Sequence, residues 1–429
     1  MQSKLLHTAL AAALSAPLVA MAAPTATQPD EVDDSFMNSM VPHTTHGASR
    51  SDGLGTGGRF SSNALGVDSL ANFSGYFYEP GIASYGGIQF TWPYTMVGSV
   101  PSRDDDATTV IGAPIVPVII DLRNYDGSPR YYTLPDGTQV RMILDPTATV
   151  STVLNSPSFV PVSYGGHAAQ FDDAMMRAQF KGVASSDWHT LLRPTVKATQ
   201  TMVLIRGTYR YNVYPDGHLH YVLVDYNTFS NELFPATSTD TSTPIGAAEN
   251  AGDITTKDMS TFLFRDTYLY FNGNPSDCCV IGYHSYDTEP GDSSNGWRER
   301  RYVMNYSSFI TPGVFRNTSF LDVVALSHEL SETFDDPFVG NSTPVWLSPN
   351  GNCQSNLETG DVIEGLPNAI TTIVSKGYTY HMQNEALLEW FAGANPSPAL
   401  NGAYSWPDPT VLTAPAQLVY TDCATPFVF

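Results

Sequence analysis

The sequence has few basic residues and, beyond its start, no long apolar run. It carries 20 Lys and Arg against 42 Asp and Glu, a formal net charge of -22. A chain this acidic repels nucleic acid and anionic membrane, so neither is expected as a partner. No stretch after residue 22 approaches the roughly 18 consecutive apolar residues of a membrane span. We therefore expect a soluble protein with no nucleic-acid and no membrane partner.

The N-terminus has the pattern of a signal peptide. Lys4 precedes an apolar run from Leu5 to Ala20, and Ala20 and Ala22 are small residues suited to signal-peptidase cleavage. We predict a signal peptide at residues 1–22 and a secreted protein, extracellular or, in a Gram-negative source, periplasmic. Residues 23–70 are polar, acidic and rich in Ser, Gly and Thr. This composition predicts a flexible leader or a pro-segment.

Cysteine is scarce, with four in the whole chain: Cys278, Cys279, Cys353 and Cys423. In a secreted protein these can form disulfides. Because a bridge between adjacent residues is strained, we predict that Cys278 and Cys279 pair with the two distant cysteines. The sequence leaves open which distant cysteine each of them takes.

The remainder, residues 71–425, reads as an α+β fold that is rich in strands toward its N-terminal part. With 429 residues, 42% of them hydrophobic, the chain can bury a large core. Its periodicity and turn signals predict the following elements. They are a buried strand at 114–123, hairpins at 130–144 and 209–226, a helix within 168–180, and strands at 261–271, 280–286 and 300–306.

The stretch "SHELSETFDDP" (327–337) closes the next predicted helix. Ser319 is a good N-cap with Asp322 three residues later, and Pro337 requires the helix to end by Asp336. The sequence therefore predicts a helix over residues 319–336.

Two residues of this helix have the spacing of metal ligands. His328 and Glu332 are four residues apart, so their side chains point the same way. Imidazole and carboxylate both bind metals, and Glu329 stands where zinc peptidases with HExxH helices keep their general base. The pattern predicts a metal site on one face of the helix.

The surrounding segment has no Lys or Arg between Asn317 and Ser375. It carries eight acids, namely Asp322, Glu329, Glu332, Asp335, Asp336, Glu358, Asp361 and Glu364. Such acids are compatible with a solvated surface or with a bound cation. A His followed by Glu at both the first and the fourth position after it favours the cation.

Several segments together resemble a known group of proteins. These are "SHELSETFDDP", "ETGDVIEG" (358–365), "YHMQNEALLEWF" (380–391), "FDDAMMRAQF" (171–180) and "CCVIGYHS" (278–285). They resemble secreted bacterial and fungal proteins with an HExxE helix, a group similar to the plant Exordium, or phosphate-induced, family. The resemblance spans about residues 160 to 410. It implies a zincin-like metallopeptidase domain, with a mixed β-sheet and an active-site helix.

Carried over to this chain, the resemblance implies that His328 and Glu332 bind metal and that either Glu358 or Asp361 is the third ligand. Zinc is the expected metal, with calcium or manganese as alternatives because the site is rich in carboxylates. Three protein ligands leave room for a water, whose proton Glu329 would take and pass to the leaving amine.

Two further residues receive roles outside the ligand set. His284 could donate a hydrogen bond to a tetrahedral oxyanion, although a lone strand histidine is more often structural. Asp336 suits a hydrogen bond at the helix end better than a ligand position.

Two functions follow from these observations. The first is a secreted metal-dependent endopeptidase acting on a protein or peptide substrate. The second is a secreted non-catalytic protein that binds wall carbohydrate or another protein, in which the zincin-like domain keeps its metal or acids only for structure. The sequence does not predict an oligomeric state.

Overall fold

The computed structural model describes residues 30–32, 35–44, 60–64, 66–79, 90–104, 106–316, 318–419 and 423. The predicted signal peptide at residues 1–22 lies outside the described residues. No helix in the described ranges is long and apolar enough to cross a membrane.

The strands are short near the N-terminus and longest in the middle of the chain. The first nine are β1 (His43–Thr44), β2 (Phe60–Ser62), β3 (Val67–Asp68), β4 (Asn72–Tyr78), β5 (Thr91–Val97), β6 (Thr108–Arg123), β7 (Tyr131–Thr133), β8 (Gln139–Arg141) and β9 (Ile143–Leu144). The next ten are β10 (Val162–Tyr164), β11 (His167–Ala169), β12 (His189–Val196), β13 (Gln200–Ile205), β14 (Tyr209–Val213), β15 (Leu219–Asp225), β16 (Met259–Arg265), β17 (Thr267–Tyr270), β18 (Cys278–Glu289) and β19 (Glu299–Phe309). The last are β20 (Ser342–Leu347), β21 (Cys353–Asn356), β22 (Ile370–Ser375), β23 (Tyr378–Gln383), β24 (Glu385–Ala386), β25 (Ser405–Trp406) and β26 (Gln417–Leu418).

The helices are few, and most are short. They are α1 (Val150–Leu154), α2 (Phe171–Gln179), α3 (Tyr226–Leu233), α4 (Pro244–Ala251), α5 (Val324–Asp335) and α6 (Leu388–Phe391).

A mixed sheet runs through the centre of the protein. Its main path is β12-β6-β16-β19-β18-β17-β15-β14, and β1, β3, β9 and β13 pair with strands of this path. Strands β12, β6, β16 and β19 are parallel neighbours, whereas β18 is antiparallel to both β19 and β17. The expected α+β class, rich in strands, is confirmed.

Strand β6 shows why the sheet is buried on both faces. Successive side chains of a strand point to opposite faces. Ile111, Ala113 and Ile115 therefore join the core on one face, whereas Val116 and Val118 join the core on the other. Helices α2 and α5 contribute to the first core, and helices α3 and α4 to the second. The apolar run at 114–123 is thus a central strand, as its pattern predicts.

Most predicted elements are confirmed. The hairpins are β7–β8 and β14–β15, and the helix within 168–180 is α2. The strands predicted at 280–286 and 300–306 lie within β18 and β19, whereas the single strand predicted at 261–271 is divided at Asp266 into β16 and β17.

The predicted start of the 319–336 helix is wrong. Helix α5 begins at Val324, with Val323 at the N-cap position. Asp322 has a positive φ of 42°, which a helix does not accept. Its carboxylate accepts the N–H of Val323 and of His381, so it is held by a neighbouring strand. The predicted end at Asp336 agrees with the structure.

The predicted disulfide pairing is also wrong. The structure pairs Cys278 with Cys279 and Cys353 with Cys423. Cys353 opens β21, and β21 and β26 flank the same strand, β20, so the chain end returns to this small sheet. Cys278 and Cys279 instead begin β18 in the central sheet. The fold therefore separates the two cysteine regions that the sequence argument joined.

The predicted leader at 23–70 is not uniformly without structure. Residues 36–39 form a 3-10 turn, and residues 43–44 form strand β1. The side chain of Met37 is 3% exposed and packs in a core with Phe315 and Val324. Parts of this acidic segment thus belong to the folded protein.

Glu249 on α4 provides a test of this fold. Burial, reinforced by Asp287 and Glu289, raises the pKa of Glu249 to about 9. In an unfolded chain a Glu titrates near pH 4.3, so the folded state binds more protons between these two values. Stability should therefore fall as the pH rises through this window.

Glu249→Gln should remove this loss, so that between pH 5 and pH 8 the variant should lose at least about 1 kcal/mol less stability than the wild type, since one pKa unit corresponds to about 1.4 kcal/mol. Urea unfolding at pH 5 and pH 8 measures the effect. Wild-type and variant stabilities that change in parallel between the two pH values would contradict it.

Candidate metal centre

Helix α5 is buried along its whole length, and its charged residues lie inside the protein. His328, Glu329 and Glu332 are all buried, with Glu332 1% exposed. The helix packs against β18 and β19 on one face of the central sheet. The interpretation of Glu332 as a solvated surface acid is therefore wrong.

Three side chains converge at the middle of α5. His328 Nε2 lies 3.0 Å from Glu332 Oε1 and 3.7 Å from Asp361 Oδ1. Ligand atoms in a tetrahedral zinc site, with bonds of about 2.0–2.2 Å, lie roughly 3.3–3.6 Å apart. The two distances from His328 Nε2 lie just below and just above this range, and the three groups lie within 4.8 Å of one another, which makes them candidate ligands of one metal ion.

The loop that carries Asp361 is fixed by hydrogen bonds to these same groups. The backbone N–H groups of Gly360 and Asp361 donate to Glu332 Oε1 at 3.1 and 3.2 Å. Gln354 donates to Asp361 Oδ2 at 2.5 Å, and Gln383 donates to the carbonyl of Gly360 at 2.8 Å. These hydrogen bonds thus orient both the carboxylate of Glu332 on the helix and the carboxylate of Asp361 on the loop.

A second group surrounds His284 on β18. His284 Nδ1 lies 3.4 Å from Glu332 Oε2 and 3.6 Å from Glu329 Oε2. On its other side, His284 Nε2 lies 3.8 Å from Glu358 Oε2. Glu332 belongs to both groups, because its two oxygens face different histidines.

The polar atoms of His284 and Glu329 have no hydrogen-bond partner among the described residues, although both side chains are buried. Buried polar groups in native proteins are almost always hydrogen-bonded or bind water or an ion. His284, Glu329 and Glu332 also have the composition and proximity of metal ligands. These atoms make the centre a candidate site for a bound cation or water.

The two candidates for the third ligand lie in different places. Asp361 lies with His328 and Glu332, whereas Glu358 lies beside His284. Asp336 does not enter either group, since its carboxylate accepts the N–H groups of Gly340 and Asn341 at 2.9 Å. It has the helix-end role that the sequence predicts.

The electrostatics of the centre favour added positive charge. Burial raises the pKa of Glu329 to about 7 and that of Asp361 to about 6. Burial also opposes ionisation of Glu332, but His328 and His284 hold the pKa of Glu332 below its usual value. The carboxylates in turn hold the pKa of His328 well above normal, against the effect of burial. A cation would relieve the repulsion that remains among the acids.

Sequence reasoning missed three residues of the centre. Thr44 Oγ1 lies 2.5 Å from His328 Nε2, and no sequence signal connects it with the helix. A Cβ at Gly360 would collide with the His328 ring, and one at Gly282 would lie 2.5 Å from Glu329 Oε1. Gly360 lies between Glu358 and Asp361 in the sequence. A glycine at this position could have indicated that the loop backbone closely approaches another group. Gly282 precedes His284 by two residues on the same strand.

Comparison of the chain with protein-family models, curated proteins and solved structures finds no match. Membership of the HExxE group therefore stays a prediction from the quoted motifs.

Gly360→Ala tests whether the loop must approach His328 this closely. The added methyl group should displace the imidazole or the loop and weaken zinc binding about 10- to 100-fold, as changes beside a metal ligand commonly do. Competition with a chromophoric chelator measures the affinity.

Gly182→Ala is the matched control, because a Cβ there meets nothing closer than a backbone oxygen at 3.9 Å. Equal zinc affinity in both variants would show that the loop does not depend on this contact.

Proposed function

We propose that this chain is a secreted metal-dependent endopeptidase with a zincin-like centre. His328, Glu332 and Asp361 would hold zinc, Glu329 would be the general base, and the substrate would be a protein or peptide. The observation that carries the proposal is the spacing of 3.0 and 3.7 Å around His328 Nε2. Beside these atoms lies a buried glutamate whose carboxylate has no hydrogen-bond partner among the described residues.

Zinc fits the ligand set better than the alternatives. Catalytic zinc sites have three protein ligands and an open position, and the set proposed here supplies three, although one imidazole and two carboxylates are more anionic than the usual His-rich site. Calcium usually takes six to eight oxygen ligands, which the atoms around His328 do not supply. Manganese accepts the same mixture of nitrogen and oxygen and remains the closer alternative.

A zinc ion held there would polarise a peptide carbonyl and lower the pKa of water. Glu329 follows the first ligand in the helix, and its carboxylate lies outside the trio of His328, Glu332 and Asp361. Gly282 leaves the space that the Glu329 carboxylate occupies. From this position Glu329 can take a proton from water and pass it to the leaving amine.

His284 is better suited to positioning than to the oxyanion role that the sequence suggests. Both of its ring nitrogens face carboxylates, with Glu329 and Glu332 on one side and Glu358 on the other. Its N–H groups would therefore orient the base and a ligand. An oxyanion donor would need one nitrogen directed at the substrate.

Glu329→Gln should abolish peptide hydrolysis and leave the zinc content and the melting temperature nearly unchanged. The amide keeps the shape of the side chain but cannot take the proton. Hydrolysis of a quenched fluorescent peptide library and elemental analysis of the same samples measure the two properties.

Glu232→Gln, an exposed position on α3, is the control and should behave as the wild type. Loss of zinc in Glu329→Gln would make Glu329 a ligand. Absence of hydrolysis in the wild type and the control, with zinc bound, would favour the non-catalytic binding protein only if variants that displace residues 35–44 from His328 are inactive as well.

Glu332→Ala tests whether Glu332 is a zinc ligand or only a buried acid. Zinc that binds only the folded wild type should raise its stability, by about 2.7 kcal/mol at a concentration of 100 Kd. The variant should lose most of this increase because one of three ligands is gone. Thermal melts with added zinc and with EDTA measure it, and an equal zinc-dependent rise in both proteins would contradict the assignment.

A further inference from the structure

A segment far from α5 in the sequence covers the candidate metal centre. We call residues 30–32 and 35–44 the N-terminal segment. Thr44 is 5% exposed, and its Oγ1 lies 2.5 Å from His328 Nε2 and donates to Asp361 Oδ1 at 3.2 Å. Its backbone N–H donates to Glu364 Oε1 at 3.0 Å. One side chain therefore touches two of the three proposed ligands.

The segment reaches this position as a strand of the central sheet. Strand β1 runs parallel to β18, with His43 opposite Val280 and Thr44 opposite Gly282. A Cβ at Gly282 would lie 2.5 Å from Glu329 Oε1, so β1 passes beside the proposed base. Addition of an extended segment to a strand is a common mode of peptide recognition. Strand β1 thus pairs with β18 as an extended peptide does, next to the proposed base.

Contacts before β1 hold the segment in place. The buried side chain of Met37 packs with Phe315 and Val324 at the start of α5. Upstream, the N–H of Val32 donates to the carbonyl of Tyr211 at 2.9 Å, and Asp30 forms an ion pair with Arg206 at 2.6 Å. The anchors are separate from the metal centre, so the position of Thr44 does not depend on its own contacts alone.

We propose that the N-terminal segment is an inhibitory segment bound in the substrate cleft, with the Thr44 hydroxyl in the coordination position that water or substrate needs. This inference rests on the proposed function, because it takes zinc at His328, Glu332 and Asp361 as given. Three protein ligands leave one tetrahedral position open. The Thr44 hydroxyl contacts His328 Nε2 and Asp361 Oδ1 directly and thus takes up space beside two of the proposed ligands, so activity requires the segment to move or be cleaved.

Three substitutions in the zinc-loaded full chain test this inference. Thr44→Ala removes the hydroxyl, Thr44→Ser retains it, and Met37→Ala weakens an anchor away from the zinc ligands. The primary measurement is the affinity for acetohydroxamate, a small zinc-chelating probe, and the secondary one is peptide hydrolysis. We expect Thr44→Ala and Met37→Ala to bind the probe at least tenfold more tightly than the wild type, and Thr44→Ser to match the wild type.

Each alternative result has a distinct meaning. Unchanged probe affinity in both Thr44→Ala and Met37→Ala, with zinc bound, overturns the inhibitory segment and leaves the proposed function standing. A rise in Met37→Ala alone overturns the role of the Thr44 hydroxyl. Tighter probe binding without hydrolysis supports the covering segment and contradicts the peptidase. Absence of zinc from every variant overturns both proposals.

Discussion

The structure depends on how the carboxylates beside α5 are neutralised. Glu329, Glu332, Glu358 and Asp361 are buried together, and the residues from Asn317 to Ser375 include no Lys or Arg. Each buried charge without a partner costs several kcal/mol, so protons or a cation must offset the repulsion. The imidazoles of His284 and His328 supply part of that charge. A metal ion would supply the rest and add its binding energy to folding.

The central sheet and the loop after β21 make this burial possible. Glycine at 282 leaves space on β18 for the Glu329 carboxylate, and glycine at 360 lets the loop approach the His328 ring. The loop N–H groups then satisfy Glu332, which the helix alone could not do. The proposed ligands are therefore carried by a helix and by a loop that is hydrogen-bonded to that helix. Such mutual support keeps a metal site precise.

Local sequence patterns predicted most helices and strands, whereas long-range contacts determine how the residues of the candidate metal centre are arranged. The apolar run of β6, the Pro-Asp-Gly hairpins and the end of α5 at Pro337 follow from periodicity and turn chemistry. The spacing of His328 and Glu332 likewise placed both residues on one face. The start of α5, the cysteine pairing and the contact of Thr44 with His328 depend on segments that meet only in the fold. No local pattern encodes such long-range contacts. The sequence therefore left two candidates, Glu358 and Asp361, for the third metal ligand, and it predicted only a flexible leader or a pro-segment at residues 23–70.

The central claim is that this buried acidic centre holds a metal ion. Elemental analysis of the purified full chain, after dialysis against metal-free buffer, tests it most directly. We expect about one zinc per chain, removed by prolonged EDTA treatment and restored by added zinc. A fully folded chain that contains no zinc or other divalent metal and takes up none when zinc is added would contradict it.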